Sequence, residues 1–375
     1  MKSKVYACDM RAGYRENMFE KLGRLLDAVG LSQGIRARDL VAIKLHFGEK
    51  GNTGFVRPVF VRQVVDKIKS LQAQPFLTDA NTLYGGVRND SAHHLITAIE
   101  NGFAFSVIQA PLIIADGLKG TAATEVKINL ERIQRAYIAT DIVEADALVS
   151  LAHFKGHELT GFGGTLKNLG MGCAARRGKL AQHSNLSPKV KSKNCDACGD
   201  CVEACAQSAI SIIEIEKRKK ARINPEKCIG CGECILVCPN DAIRVQWNKS
   251  IPEFMEKMAE YAAAVLKNKK GKAFLLNFLT QISPACDCTP HTDASIVRDV
   301  GILASTDPVA IDQASVDLVN QEPGLPGACP AQGIKPGQDK FRALYPKVDW
   351  SIQLEYGQKI GLGSRDYDLE WLKTK

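Results

Sequence analysis

Apolar positions along the chain recur with two periods, and the switches between them mark out its elements. Val5 to Ala7 reads as a strand. Glu16 to Val29 then sets Met18, Leu22, Leu25 and Leu26 on one helical face. Leu40 to Leu45 is a second strand, and Pro58 to Leu71 a helix with proline in its first turn. Phe76-Leu77 ends a third strand, and Ser91 to Asn101 makes a helix closed by Gly102. Leu112 to Ala115, Ala136 to Ala139 and Ala147 to Leu151 supply further strands. After an interruption the rhythm resumes with a helix at Pro252 to Leu266, a strand at Ala273 to Leu279 and another at Ile302 to Ala304. A helix capped by Asp307 and opened by Pro308 then runs to about Val319. Strands alternating with helices predict an α/β fold with a largely parallel sheet and helices on its faces. The Gly- and Pro-rich tail after Glu322 is expected to wrap the surface.

The interruption carries the clearest chemistry. Cys195, Cys198, Cys201 and Cys205 follow a C-x2-C-x2-C-x3-C spacing, which Cys228, Cys231, Cys234 and Cys238 repeat. This is the spacing of bacterial two-cluster ferredoxins, in which the fourth cysteine of each run ligates the other cluster. The spacing therefore assigns Cys195, Cys198, Cys201 and Cys238 to one [4Fe–4S] cluster, and Cys228, Cys231, Cys234 and Cys205 to a second. The repeat extends past the thiols, with Gly199 matching Gly232 and Ala209-Ile210 matching Ala242-Ile243. Paired C-x2-C motifs also bind structural zinc, the competing reading, but zinc needs only four cysteines in two pairs. The expected organisation is an α/β domain in two parts, 1–189 and 248–375, around a ferredoxin-like α+β insert at 190–247.

With 375 residues, 45% hydrophobic and 24% charged, the chain has an ordinary globular composition. Eight of its thirteen cysteines belong to the two runs. Thiolate-held clusters imply a reducing compartment. No apolar run approaches the ~18 residues of a membrane span, and the N-terminus lacks a signal-peptide core, so a cytoplasmic location is expected. The net charge of +8 concentrates near the insert, where Lys217, Arg218, Lys219, Lys220 and Arg222 separate the two runs. A solvated hairpin accounts for them, as does a docking face for an acidic electron carrier such as a ferredoxin or flavodoxin. Nucleic-acid binding is the weaker alternative, because aromatics do not interleave the charges.

Three polar loops follow predicted strands, where open α/β sheets bind ligands. The first, His46 to Arg57, offers Gly48, with Lys44 and Arg57 nearby, as an anion-binding loop. The second contains Asn81. The third runs from His153 through His157, Gly163, Gly164, Lys167 and Asn168 to Cys173. Lys167, His153 and His157 are the candidate catalytic residues. Lys44, Gly48, Arg57, Asn81, Gly163, Gly164 and Asn168 are the candidate cofactor- or ligand-binding residues for a small-molecule substrate. Cys286 and Cys288 flank Asp287 in a polar loop, and with Cys173 and either His183 or His291 they form a candidate third metal or cluster site, iron or zinc. Cys8 and Cys329 read as buried apolar residues.

The segments Lys44-Leu-His46-Phe-Gly48-Glu, His153-Phe-Lys-Gly-His157, Gly163-Gly164-Thr-Leu-Lys167-Asn168, Cys286-Asp-Cys288 and Ser305-Thr-Asp307-Pro-Val-Ala-Ile-Asp312 resemble the domain-of-unknown-function 362 family. Many of its members carry a two-cluster ferredoxin module. The resemblance implies iron–sulfur redox function without a settled reaction. A fainter similarity is to nickel-pincer lactate racemases, whose Gly-Gly-x-Lys-like loop is one residue shorter. The leading expectation is an iron–sulfur oxidoreductase whose clusters pass electrons from a carrier to the α/β domain. The alternative is a non-catalytic metal or cluster carrier or assembly factor.

Overall fold

The computed structural model describes residues 2–183, 188–215, 217–228, 230, 232–244, 251–328 and 333–373. In chain order its strands are β1 (Ser3–Asp9), β2 (Leu40–Lys44), β3 (Gln74–Asp79), β4 (Leu112–Ile114), β5 (Ala123–Lys127), β6 (Arg135–Ala139), β7 (Ala147–His153), β8 (Lys155–His157), β9 (Gly161–Gly163), β10 (Lys189–Val190), β11 (Ile210–Ile215), β12 (Arg218–Ile223), β13 (Ile243–Arg244), β14 (Ala273–Leu279), β15 (Gly301–Ser305) and β16 (Tyr367–Trp371). Eight of them form one sheet in the order β16-β1-β15-β14-β7-β2-β3-β4. Only β15 runs against its neighbours, β1 and β14. The other pairings are parallel, as the alternation of strands and helices predicts.

Helices cover both faces, so the central strands are buried on both sides. That is why they read as continuous apolar runs rather than alternating ones. Along β14, Phe274, Leu276 and Phe278 point into one apolar layer, while Leu275 and Leu279 point into the other. The first layer is completed by helices Met18–Ala28 and Pro58–Ser70, through Leu22, Leu25, Val61 and Val65. The second is completed by Ile251–Leu266 and Pro308–Gln321, through Met258, Tyr261, Ile311 and Ala314. The first helix starts where its cap dictates. Asn17 accepts from the N–H groups of Phe19 and Glu20, and Glu20 reaches back to the Asn17 N–H at 2.7 Å, a reciprocal cap.

Two expectations change. Ala136 to Ala139 is a strand, but it pairs with β5 in a separate hairpin rather than joining the main sheet. The tail does more than wrap the surface. Its apolar residues are spaced too widely to show a period, yet Phe341, Trp350 and Leu354 pack into the second layer, and β16 extends the sheet beside β1. Between Lys189 and Arg244, β10 pairs with β13 and β11 with β12, both antiparallel, so the cysteine-bearing segment closes on itself. No helix among the described residues is long and apolar enough to cross a membrane.

Candidate functional site

Because β2, β3, β7 and β14 are parallel, they deliver Lys44, Asp79, His153 and the loop beyond Leu279 to one edge of the sheet. A cavity of about 630 Å³ opens there. One wall comes from these strand ends, a second from β8 and the turn at Gly164 to Asn168. A third comes from the insert, through Ile235, Leu236, Cys238, Ile243 and Arg244.

Behind the cavity lies Cys286-Asp287-Cys288. The Cys286 sulfur, almost wholly buried, accepts from Lys167 Nζ at 3.4 Å and from the Cys288 N–H at 3.4 Å. The Cys288 and His157 side chains are its other polar neighbours. The leading cause of its low pKa is the Cys288 side chain; Lys167 and His157 add to it against the cost of burial. Cys286 is thus the thiolate of the pair. Cys288, which lines the cavity, is held as the thiol, its pKa raised by Cys286 and by burial. Burial opposes the charge on Lys167, but the two sulfurs and Glu158 outweigh it and raise its pKa. His157 Nδ1 accepts the N–H groups of Leu159 and Thr160 at 3.2 Å each, which leaves its ring proton on Nε2.

Asp287 anchors the loop. His153 Nδ1 lies 2.7 Å from its Oδ1 and Lys155 Nζ 2.8 Å from its Oδ2. Burial alone would raise its pKa; His153 and Lys155 beside it hold it well below the carboxylate range instead. The main chain of β8 comes close enough to the loop that a Cβ on Gly156 would stand 2.0 Å from the Pro284 carbonyl oxygen. Glycine is therefore required there.

On the opposite wall Lys44 Nζ bonds Asp79 at 3.0 Å and Asn168 Oδ1 at 2.9 Å. Arg88 bonds Glu49 at 3.0 Å and the Tyr84 hydroxyl at 3.0 Å. Against its own burial, Asp79 is held low by Lys44 and Arg88. His46 is pushed down to about 3 by burial and by Arg88, so it is neutral. His183, stacked 4.6 Å from Phe254, is likewise pushed to about 3 by burial.

The turn that aims Lys167 is fixed from the far end of the chain. Asp312 accepts from Thr165 N–H at 2.7 Å, Leu166 N–H at 2.8 Å and Asn277 Nδ2 at 2.8 Å. A Cβ on Gly164 would meet Asp312 Oδ1 at 2.4 Å. Gly163 lies against the stems of Lys155 and Lys167. These glycines therefore admit a carboxylate and two lysines.

Of the residues singled out by sequence, Lys44, His157, Gly164, Lys167, Asn168, His183, Cys238 and Cys288 line the cavity. His153 does not; it orients Asp287 and meets the Thr280 and Gln281 carbonyls. Asn81 is buried and bonds Asp116. In the Gly48 loop three N–H groups are already taken, Gly48 by His46 Nδ1, Glu49 by the Asp287 carbonyl and Gly54 by Asn52 and Thr292, and Arg57 is exposed. The loop buttresses residues 287–292. Cys173 does not join Cys286 and Cys288: it is fully buried in the core beside the Asn168 carbonyl, its thiol pushed up to about 11 by burial. His291 is exposed. Among the described residues no three His, Cys, Asp or Glu side chains converge on a point suited to one metal ion. Sequence reading missed Arg88, Asp287 and Asn277 as parts of this site. Each is an isolated polar residue in an apolar or turn-rich stretch, whose role depends on a partner distant in sequence.

In the insert, Cys195, Cys198, Cys201 and Cys238 surround one small pocket. Main-chain N–H groups point at the sulfurs at equivalent places in the repeat, Ala209 to Cys205 and Ala242 to Cys238, each at 3.2 Å. Ala221 N–H adds a bond to Cys195 at 3.4 Å. Burial, and then the neighbouring sulfurs of Cys195, Cys198 and Cys238, push Cys201 up to about 11. Cys228 and Cys205 are half-buried and Cys234 is buried, while Cys231 and Cys329 lie outside the described residues. Cys238 and Ile243 line both this pocket and the main cavity. The insert is seated by Arg176, fully buried, which bonds Glu233 at 3.0 Å and the Thr82 carbonyl at 3.3 Å.

The domain of unknown function (DUF362) family matches residues 41–317, which include both sides of the cavity and the cysteine-rich segment. The chain belongs to this family. No curated relative matches the DUF362 chain. Among solved structures it is similar to the lactate racemase apoprotein from Thermoanaerobacterium thermosaccharolyticum, at 14% identity and a TM-score of 0.35 over 75% of this chain and 51% of that one. It is also similar to a protein from Thermotoga maritima, at 12% identity and a TM-score of 0.37 over 91% of this chain and 58% of that one. The DUF362 chain thus spans little more than half the length of these structures, and likenesses so distant carry no argument about its chemistry.

Proposed function

We propose that the chain is an iron–sulfur redox protein whose cysteine-rich insert is a two-cluster ferredoxin module serving the cavity of the α/β domain. The observation that carries this reading is the shared wall: Cys238, a proposed ligand of the first cluster, borders both the cysteine pocket and the cavity with the Cys286–Cys288 pair.

The donor set fits the group. Four thiols around one pocket would repel one another as thiolates unless a cation centre sat among them, and the main-chain N–H groups aimed at the sulfurs suit cluster ligands. Cys195, Cys198, Cys201 and Cys238 would hold one [4Fe–4S] cluster, and Cys228, Cys231, Cys234 and Cys205 the other. When bound, these clusters supply one-electron transfer. The chain's own residues bind and orient the reacting molecule. Lys167 and Lys155 supply positive charge at the cavity wall, and the Asp287 network holds the thiol pair rigid. The cationic walls suit a small anionic substrate. The basic hairpin of β11 and β12 suits an acidic electron carrier.

The test is anaerobic purification followed by iron and sulfide analysis and electron paramagnetic resonance. About eight irons and eight sulfides per chain are expected from the ligand count, with a signal that appears on one-electron reduction. Zinc in their place, with no reducible absorption, overturns the reading. Metal that leaves readily for an apo-acceptor would turn it towards a carrier.

A further inference from the structure

Cys286 and Cys288 stand apart from the eight cysteines of the insert. They share a tight turn in which Thr289 N–H bonds the Cys286 carbonyl at 3.1 Å and Thr289 Oγ1 bonds it at 2.8 Å. Such a turn keeps residues two apart within the Cα separation that a disulfide tolerates. The Cys288 N–H already bonds the Cys286 sulfur at 3.4 Å, and no third ligand joins the two cysteines among the described residues. Their surroundings are asymmetric. Cys288 lines the cavity, whereas Cys286 is buried behind it against Lys167 Nζ and His157.

We infer that Cys286 and Cys288 form a dithiol–disulfide couple that reduces a small anionic disulfide bound in the cavity, with Cys288 as the attacking sulfur and Cys286 as the resolving one. This deepens the redox reading above and rests on it only for the source of electrons. The Cys288 sulfur attacks one sulfur of the substrate R–S–S–R while its proton passes to Cys286. The S–S bond breaks, RS⁻ leaves and takes up that proton, and Cys288 carries a mixed disulfide. The restored Cys286 thiolate then attacks the Cys288 sulfur. A Cys286–Cys288 disulfide forms and the second RS⁻ leaves, taking its proton from solvent. Two electrons from a low-potential one-electron carrier, with one proton, return the pair to thiolate and thiol. The sum is R–S–S–R + 2e⁻ + 2H⁺ → 2 RSH. Lys167 stabilises the Cys286 thiolate that resolves the mixed disulfide. Six lysines and arginines line the cavity against three carboxylates, and this excess of positive charge is the ground for an anionic substrate.

The test uses the full-length, cluster-loaded protein under anaerobic conditions with 5,5′-dithiobis(2-nitrobenzoate), an anionic disulfide, and reads peptide mass at residues 286–288 together with released thiolate. Wild type is expected to release two equivalents from this site, retain no adduct and show a loop peptide lighter by two hydrogens. Cys286→Ser should release one equivalent and keep the mixed disulfide on Cys288. Cys288→Ser should leave Cys286 unmodified, because that sulfur is buried. A stable adduct on wild-type Cys288, or a loop that stays a dithiol in excess reagent, overturns the inference. Following both redox groups in the wild-type protein separates the two readings. After the exchange has left the loop as a disulfide, a one-electron donor should reduce the clusters, read by absorbance, and the loop, read by peptide mass, together. Clusters that reduce while the loop stays a disulfide would sink the proposed route of electrons while the couple stands.

Discussion

In the main sheet, Val149, Leu151, Leu276 and Phe278 are fully buried, and an apolar layer covers each face. In the insert, the buried cluster comprises Cys201, Ile210, Ala221, Cys234 and Ile243, with little beyond half-buried neighbours. The first region buries apolar side chains on both faces of the sheet, a gain of roughly 25 cal/mol per Å² of apolar surface. The second is a segment of about the size at which a core alone is marginal and metals or cross-links are usually needed. Its few buried positions include sulfurs. In the insert, then, two cysteines proposed as cluster ligands also fill core positions, and on that reading losing the metal would remove part of the interior as well as the chemistry.

The strongest way to break this comparison is to remove iron by anaerobic chelation and follow hydrogen exchange. Protection of β11 and β12 is expected to fall by orders of magnitude while β7 and β14 keep theirs. Equal protection before and after would mean the insert folds as the sheet domain does. Next in size is Asp312→Ala. It strands the Thr165 and Leu166 N–H groups and the Asn277 amide, and should cost the α/β domain about 3 kcal/mol in denaturant titration, leaving the spectrum of the insert unchanged.

Acid sharpens the contrast further. Asp79 and Asp287 are both held below their ordinary value of 3.8. The stability they contribute is fully present above that pH and is lost as pH falls below it. Asp312 has the opposite sign. Burial raises it to about 6, so its protonated form favours folding below about pH 4, and that contribution fades as pH rises through 6. Asp287→Asn should therefore flatten the acid limb of the melting-temperature profile, and Asp312→Asn the limb between pH 4 and 6. Unchanged limbs would remove these carboxylates from the account. The smallest structural effect is expected from Lys219→Glu with Arg222→Glu. These exposed hairpin changes should leave melting unaltered but weaken the salt dependence of association with an acidic carrier, measured by stopped flow.

Much of the parallel sheet was legible because two-sided burial writes itself as uninterrupted runs such as Leu40 to Leu45 and Ala273 to Leu279. The antiparallel setting of β15 was not, since Ile302-Leu303-Ala304 reads alike in either direction. At the site, Lys167, Asn168 and the Cys286–Cys288 pair announced themselves by type and spacing. The task of Gly164 did not, because the carboxylate it accommodates, Asp312, lies 148 residues further on. His153 was legible as a polar strand end, but its role depends on Asp287, which no local pattern links to it.

Arg176 carries a consequence for the life of the chain in a cell. Its guanidinium is fully buried in the α/β domain, yet Glu233, the carboxylate it bonds, belongs to the insert. Breaking a buried pair of this kind costs about 3–5 kcal/mol, a large part of the margin by which a domain stays folded. A chain whose insert is not seated is therefore expected to open more often throughout, and to be the better substrate for proteases. Loaded and unloaded molecules would be sorted by turnover, with a single arginine reporting on the completeness of a region it does not belong to. Pulse-chase decay in iron-limited cells, compared with Arg176→Met, would measure that sorting directly.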